Sequence, residues 1–112
     1  MTVMERLWLD ICPIDSIPAR GCRVVQTQYG QIAIFRTASG EVFALDNRCP
    51  HKGGPLSQGI VFGHSVACPL HNWTIDLGTG QAKAPDVGCA ARFAVRVDNG
   101  EVFLNATELA AS

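Results

Sequence analysis

The sequence contains no long hydrophobic run, which argues against a membrane-spanning segment. Its longest apolar stretches are far shorter than the roughly 20 residues that a helix needs to cross a bilayer. The first residues do not place a basic segment before an apolar stretch, and they include Glu5 and Asp10, so we expect no signal peptide. We therefore expect a protein with no membrane partner.

The sequence also lacks an excess of charge of either sign. Nine Lys and Arg residues are matched by ten Asp and Glu residues, which gives a net charge of −1. We therefore expect no basic surface for nucleic acid or for an anionic membrane. A Gly-x-Gly-x-x-Gly fingerprint after a strand is absent as well, so the sequence does not predict a bound dinucleotide.

Cysteine is present in an odd number. Two of the five cysteines belong to paired motifs, and Cys12, Cys22 and Cys89 remain. An odd remainder argues against a disulfide framework and favours a reducing compartment. We predict a cytoplasmic protein in which these three residues are small, partly buried hydrophobic side chains.

Short apolar segments between turn residues predict a small all-β fold in one domain, residues 1–112. The first three predicted strands form an antiparallel meander, and the last two form a hairpin around Asn99-Gly100. The Gly- and Pro-rich segment 47–80 is predicted to form a hairpin subdomain inserted between core strands, and residues 106–110 a final helical turn. The predicted strands are 22–26, 32–35, 42–45, 60–62, 66–67, 73–76, 93–97 and 101–104.

Two short blocks carry the chemistry, namely Cys49-Pro50-His51 and Cys68-Pro69-Leu70-His71, with sixteen residues between His51 and Cys68. Two thiols and two imidazoles suit zinc or an iron–sulfur cluster. Zinc fingers usually pair Cys with Cys and His with His, whereas mixed blocks suit two metals held between two loops. We therefore predict that Cys49 and Cys68 bind one iron and that His51 and His71 bind the other, with zinc as the alternative.

The blocks and their flanks, "NRCPHKGGPLSQG" and "ACPLHNW", resemble the Rieske family of iron–sulfur proteins. The resemblance implies an antiparallel Rieske-type β-sandwich with an inserted cluster-binding hairpin subdomain, a [2Fe–2S] cofactor and one-electron transfer. It also implies that Pro85 lies in a loop that covers the cluster.

The resemblance further implies a low reduction potential. High-potential members carry two additional cysteines, which form a disulfide, at the positions of Gly54 and Leu70, and a hydroxyl donor at the position of Trp73. Without these groups we expect the low end of the Rieske range, about −150 mV.

Within the family, residues 9–104 look most like the small subunit of assimilatory NAD(P)H-dependent nitrite reductase. The runs "HKGGPLSQGIV", "CPLHNW", "IDLGTG" and "APDVGC" carry this likeness. It implies a large partner subunit with FAD, a [4Fe–4S] cluster and sirohaem, which reduces nitrite to ammonia in nitrate assimilation. The chain would then belong to an oxidoreductase, relay single electrons and have no catalytic activity alone.

Two alternatives to this role remain open. One is a Rieske-type ferredoxin that feeds an aromatic-ring-hydroxylating dioxygenase, and the other is a structural subunit whose cluster is not a relay. Among the neighbouring residues, we predict that His64 is a solvated turn residue outside the ligand set. Trp73 is predicted either to shield the cluster from water or to pack against its own strand.

Overall fold

The computed structural model describes residues 8–27, 30–49, 54–69, 73–83 and 88–105. These residues form ten β-strands and two short 3-10 helices, Ile14–Ser16 and Leu56–Gln58, so the predicted all-β fold is confirmed. The predicted helical turn at 106–110 lies outside the described residues. The strands are β1 (Trp8–Pro13), β2 (Cys22–Gln26), β3 (Gln31–Arg36), β4 (Val42–Asp46), β5 (Ile60–Phe62), β6 (Ser65–Ala67), β7 (Thr74–Asp76), β8 (Arg92–Phe93), β9 (Val95–Asp98) and β10 (Glu101–Asn105).

The strands build three antiparallel sheets. The meander sheet has the order β2-β3-β4-β8, the terminal sheet β1-β10-β9, and the loop sheet β5-β6-β7. The predicted three-strand meander is confirmed, with Phe35 on β3 opposite both Cys22 and Phe43. The predicted strands of the hairpin subdomain form the loop sheet, in which β6 pairs with β5 on one side and with β7 on the other.

The meander sheet is the middle layer, because β3 is buried on both faces. Successive side chains of a strand point to opposite faces. Ile32 and Ile34 therefore join one buried cluster while Ala33 and Phe35 join another. We call the first the sandwich core, which includes Cys12, Ile17, Ala44, Phe93, Val102 and Leu104. We call the second the loop core, which includes Leu45, Cys49, Leu56, Val61, Val66, Cys68, Ile75, Leu77 and Ala90.

The final hairpin is confirmed at its turn and corrected at its start. Asn99 and Gly100 both have positive φ, at 51° and 78°, as the tight turn between two twisted strands requires. The prediction of one strand over 93–97 is wrong, because the strand is interrupted at Ala94. Arg92–Phe93 pairs with β4, whereas Val95–Asp98 pairs with β10. The segment 92–98 therefore contributes one strand to the meander sheet and one to the terminal sheet, which together enclose the sandwich core.

Strand β1 was not predicted. Its sequence mixes Asp10 and Pro13 with apolar residues and shows no regular alternation, so it lacks the pattern of an isolated strand. The strand exists because it pairs with β10, with a bulge between Asp10 and Cys12. Within the described residues there is no helix long and apolar enough to span a bilayer.

Replacing Leu104 by Ala is expected to lower the free energy of unfolding by about 2–5 kcal/mol, since this side chain is completely buried in the sandwich core. Leu9, its cross-strand partner on β1, is 42% exposed and provides a matched control. Leu9→Ala should cost less than half as much. Urea denaturation measures both losses, and equal losses at the two positions would contradict the packing described here.

Candidate functional site

The two cysteines of the predicted ligand set enter the same part of the molecule. Cys68 directly follows β6, and Cys49 lies three residues after the end of β4. Their exposed fractions are 0% and 3%, and both belong to the loop core. Both are free thiols. Two buried thiols in one apolar cluster fit the first pair of ligands that a bridged iron centre needs.

Each cysteine begins a loop that is closed by the same backbone hydrogen bond. The Cys49 N–H donates to the Gly54 carbonyl at 2.8 Å, and the Cys68 N–H donates to the Trp73 carbonyl at 2.7 Å. We call residues 49–54 the first loop and residues 68–73 the second loop. Both loops therefore contain six residues, with the predicted imidazole ligand at the third or fourth position.

The closing carbonyls were not predicted as part of the site. Neither Gly54 nor Trp73 was predicted to close a loop through its carbonyl, yet both stand five residues after a cysteine. That equal offset is the signal in the sequence that could have identified them. Their contribution is geometric, because a carbonyl that accepts the cysteine N–H fixes the backbone from which the thiol projects.

The other two predicted ligands, His51 and His71, lie outside the described residues, as do Lys52, Leu70 and Pro85. The structure therefore describes the two thiols of the predicted set but neither imidazole. Among the described side chains alone, no group of three or more His, Cys, Asp or Glu residues is gathered in a way that could hold a metal ion.

Trp73 precedes β7 rather than forming part of it. Its half-buried side chain packs against the loop core, which contains both thiols. Of the two roles predicted for it, shielding the thiols from water is the one that this position supports. An aromatic side chain removes a large area of neighbouring surface from solvent, which lowers the local dielectric constant around charged ligands.

Gly59 is required by close packing beside the second loop. A Cβ atom at this position would lie 2.1 Å from the Ala67 carbonyl oxygen, and Ala67 immediately precedes Cys68. The φ of Gly59 is −82°, so the backbone conformation alone would accept other residues. The absence of a side chain thus allows the backbone at the start of β5 to lie directly against Ala67, which precedes Cys68.

The three remaining cysteines differ in their surroundings. Cys12 is buried in the sandwich core, and Cys22 is half-buried, donates to the Ser57 carbonyl at 3.4 Å and has a pKa raised by burial. Both fit the predicted role of small hydrophobic side chains. Cys89 is exposed, so the prediction of partial burial is wrong there. The local sequence carries no pattern that distinguishes this exposed cysteine from the two covered ones.

His64, at the turn between β5 and β6, connects two sheets. Its side chain is exposed, as predicted, but it hydrogen-bonds the Glu41 carboxylate. Its ring also meets Phe43 of the meander sheet edge-on, with the centroids 6.0 Å apart. The hydrogen bonds from His64 and Ser39 lower the pKa of Glu41 below its usual value. The contact therefore fastens the loop sheet to the meander sheet at the surface.

A polar cleft of about 370 Å³ lies at the base of the first loop. Asp46 and Arg48 form an ion pair there at 3.6 Å. Burial nevertheless raises the pKa of Asp46, and Arg48 offsets this only in part. Between them lies Asn47, whose buried side chain donates a hydrogen bond to Gln31 and accepts one from Ser57.

Comparison with known proteins identifies the family to which the chain belongs. The domain family described as Rieske [2Fe-2S] domain matches residues 7–96. The ferredoxin component of the naphthalene 1,2-dioxygenase/salicylate 5-hydroxylase systems of Ralstonia sp. is 31% identical over 102 residues, which cover 90% of this chain and 97% of that protein.

Solved structures share both the fold and part of the sequence. The Escherichia coli protein NirD has a TM-score of 0.76 and 31% identity, covering 87% of this chain and 94% of its own. A Mycobacterium tuberculosis protein assigned as an NADH-dependent nitrite reductase small subunit has a TM-score of 0.77 and 26% identity, covering 87% of this chain and 92% of its own.

Replacing Glu41 by Gln is expected to destabilise the protein above about pH 4.3, the ordinary pKa of glutamate. A carboxyl whose pKa is lowered on folding stabilises the folded state above its unfolded pKa. That stabilisation is lost as the pH falls through the lowered pKa of the folded state. Urea denaturation of both proteins between pH 3 and pH 6 should therefore show the largest difference at the upper end.

Glu101→Gln is the control with the opposite sign. A hydrogen bond shared with the Asp10 carboxyl raises the pKa of Glu101, so its ionised form destabilises the folded state. That cost disappears as the pH falls through the raised pKa. Glu101→Gln should therefore stabilise the protein near neutral pH. The assignment fails if both variants shift stability in the same direction.

Proposed function

The chain belongs to the Rieske [2Fe–2S] domain family, and from this premise we propose that it relays single electrons to the large subunit of an NAD(P)H-dependent nitrite reductase. It is a Rieske iron–sulfur electron-transfer protein with a Rieske-type [2Fe–2S] cluster. The partner and the reaction are the proposal. The relay role rests on the pair of equal loops, each opened by a buried cysteine and closed by a backbone hydrogen bond, and the choice of partner rests on the 31% identity to NirD.

We assign the cluster ligands as Cys49 and Cys68 on one iron and His51 and His71 on the other. Three observations support the two thiols, namely their burial in the loop core, their free state and their matched loops. The two imidazoles rest on their positions in the loops.

The residues of the chain supply burial, orientation and tuning. A Rieske cluster stores and releases one electron, and two neutral imidazoles in place of two thiolates make that electron easier to accept. Leu56, Val66 and Ile75 are completely buried and surround the thiols with apolar surface. Such a shell keeps water from the ligands and favours transfer without side reactions.

The tuning residues support a low potential. Gly54 has no side chain, and the Trp73 indole offers no hydroxyl, so neither position supplies the disulfide or the hydroxyl donor of high-potential members. Fewer donors to a reduced, more negative centre leave that state less stable. We therefore propose a midpoint near the low end of the Rieske range, about −150 mV.

The proposed partner supplies what this chain lacks. The sequence contains no dinucleotide fingerprint, so NAD(P)H oxidation must occur on another subunit. Two similar solved proteins, NirD and the Mycobacterium tuberculosis small subunit, can each be superimposed on 87% of this chain. Their likeness supports a role beside a large nitrite reductase subunit, in the cytoplasm where this chain is predicted to reside.

A second candidate function is that of a ferredoxin for an aromatic-ring dioxygenase. It is favoured by the ferredoxin component from Ralstonia sp., because the two chains correspond over almost their whole length. Both candidates require the same ligands and the same one-electron chemistry, so the loops alone do not separate them. Their difference lies in the partner to which the electron passes.

Replacing Cys49 or Cys68 by Ser is expected to abolish the cluster, because a hydroxyl is a poor substitute for a thiolate ligand to iron. Iron and sulfide per chain, with electron paramagnetic resonance of the dithionite-reduced protein, measure the loss. Cys89→Ser is the matched control and should retain the wild-type spectrum, since Cys89 is exposed. A wild-type protein that contains zinc and remains silent after reduction would refute the assignment.

Replacing His71 by Leu is expected to lower NAD(P)H-driven nitrite reduction by the two-subunit complex at least about tenfold. Size-exclusion chromatography should show that the variant still binds the large subunit. His64→Leu makes the same chemical change at a histidine outside the ligand set and should retain activity. Unchanged turnover in the His71 variant would reject the relay and leave a structural role for the cluster.

The same wild-type protein should be offered to a dioxygenase reductase and oxygenase pair. Turnover of an aromatic substrate there, without stimulation of nitrite reduction, would replace the nitrite reductase assignment by the ferredoxin role. The genes beside the coding sequence provide an independent check, since the proposal expects a sirohaem reductase gene among them.

A further inference from the structure

The two ligand loops are held at their bases in different ways. The second loop connects neighbouring strands of one sheet, and the ladder pair Ala67 and Thr74 joins its two ends. The first loop leaves β4 of the meander sheet and leads to β5 of the loop sheet. Strands in different sheets share no ladder, so the two ends of the first loop need another link.

The Asn47 side chain provides such a link. It lies two residues before Cys49 and is only 5% exposed. Its Oδ1 accepts the Ser57 N–H at 2.8 Å. This bond joins Asn47, on the N-terminal side of the first loop, to the 3-10 helix on the C-terminal side. A backbone N–H can only donate, so the amide oxygen must face Ser57 and the nitrogen must face the other way.

The remaining half of the amide secures Asn47 to the meander sheet. Its Nδ2 donates to Oε1 of Gln31 at 3.1 Å, and its backbone N–H donates to the Gln31 carbonyl at 2.9 Å. Gln31 is the first residue of β3, the strand that is buried on both faces. The link therefore connects the 3-10 helix to a strand that is buried on both faces.

The 3-10 helix is a suitable place for this link. Leu56 is completely buried in the loop core, beside the two thiols. The Ser57 carbonyl accepts the Cys22 thiol at 3.4 Å, so both polar backbone groups of Ser57 are engaged. Movement of this helix would shift Gly54, whose carbonyl closes the first loop on Cys49.

We propose that Asn47 is the positioning residue of the first loop and that its side-chain amide holds Cys49 in the place from which it ligates iron. It replaces the ladder pair that supports the second loop. The inference rests on the ligand assignment proposed above. Within the described residues, the Asn47 side chain bonds Gln31 and Ser57 rather than either thiol, so we infer that its effect on the centre passes through the 3-10 helix and Gly54.

The test compares Asn47→Ala with Leu104→Ala in otherwise wild-type, cluster-loaded protein. Both variants lose buried contacts and stability, but Leu104 lies in the sandwich core, away from the loops. Asn47→Ala is expected to release iron to a chelator about tenfold faster or more, under conditions where both proteins remain folded. Its g-values after reduction should also shift, whereas Leu104→Ala should keep the wild-type spectrum.

A second variant protects the test against simple misfolding. Asn47→Asp has nearly the same shape and keeps an acceptor for the Ser57 N–H, and the Gln31 amide can turn to donate to it. This variant should therefore retain iron much better than Asn47→Ala, with a midpoint displaced to more negative values by the added charge. Iron release from Asn47→Asp as fast as from Asn47→Ala would overturn the proposed role of the Ser57 hydrogen bond.

The outcomes separate this inference from the function on which it rests. A wild-type protein without a reducible iron–sulfur centre would refute the proposed function itself. A wild-type centre with an Asn47→Ala variant that behaves like Leu104→Ala, with unchanged g-values and chelator resistance, would refute only the positioning role.

Discussion

Burial of the Cys49 and Cys68 thiols in one apolar cluster is the constraint to which the surrounding structure conforms. A cluster bound by these two thiols, as proposed, would lie in apolar surroundings that keep water away from its ligands. The loop sheet packs against one side of this cluster, and β3 and β4 pack against the other. Gly59 allows the backbone to approach Ala67 closely, and Leu56 packs in the same cluster, so that Cys49 and Cys68 are only 3% and 0% exposed.

The two loops reach the same local shape by different means. Each is closed by the N–H of its cysteine and a carbonyl five residues later, which is a property of six consecutive residues. At their bases the similarity ends, because one loop lies within a hairpin and the other crosses between sheets. A polar side chain buried at the crossing, Asn47, supplies the link that strand pairing supplies in the hairpin.

Much of the fold could be read from local pattern. The meander, the loop sheet and the Asn99-Gly100 turn were predicted because alternating apolar residues and turn residues act over a few positions. The interruption at Ala94 and strand β1 were missed, because each depends on a partner strand distant in sequence. His64 was predicted to be exposed, but its contact with Glu41 could not be foreseen, since the two residues are 23 positions apart and lie beside strands of different sheets.

The ligand chemistry proposed for this protein could be predicted from the sequence alone, because Cys49, His51, Cys68 and His71 lie within two short blocks whose spacing is a local property. The sequence also identified the family, which the match over residues 7–96 confirms. Only the tertiary structure decided how the blocks are supported. The shared burial of the thiols and the link through Asn47 arise from packing between separate elements, which brings together residues that no short pattern connects.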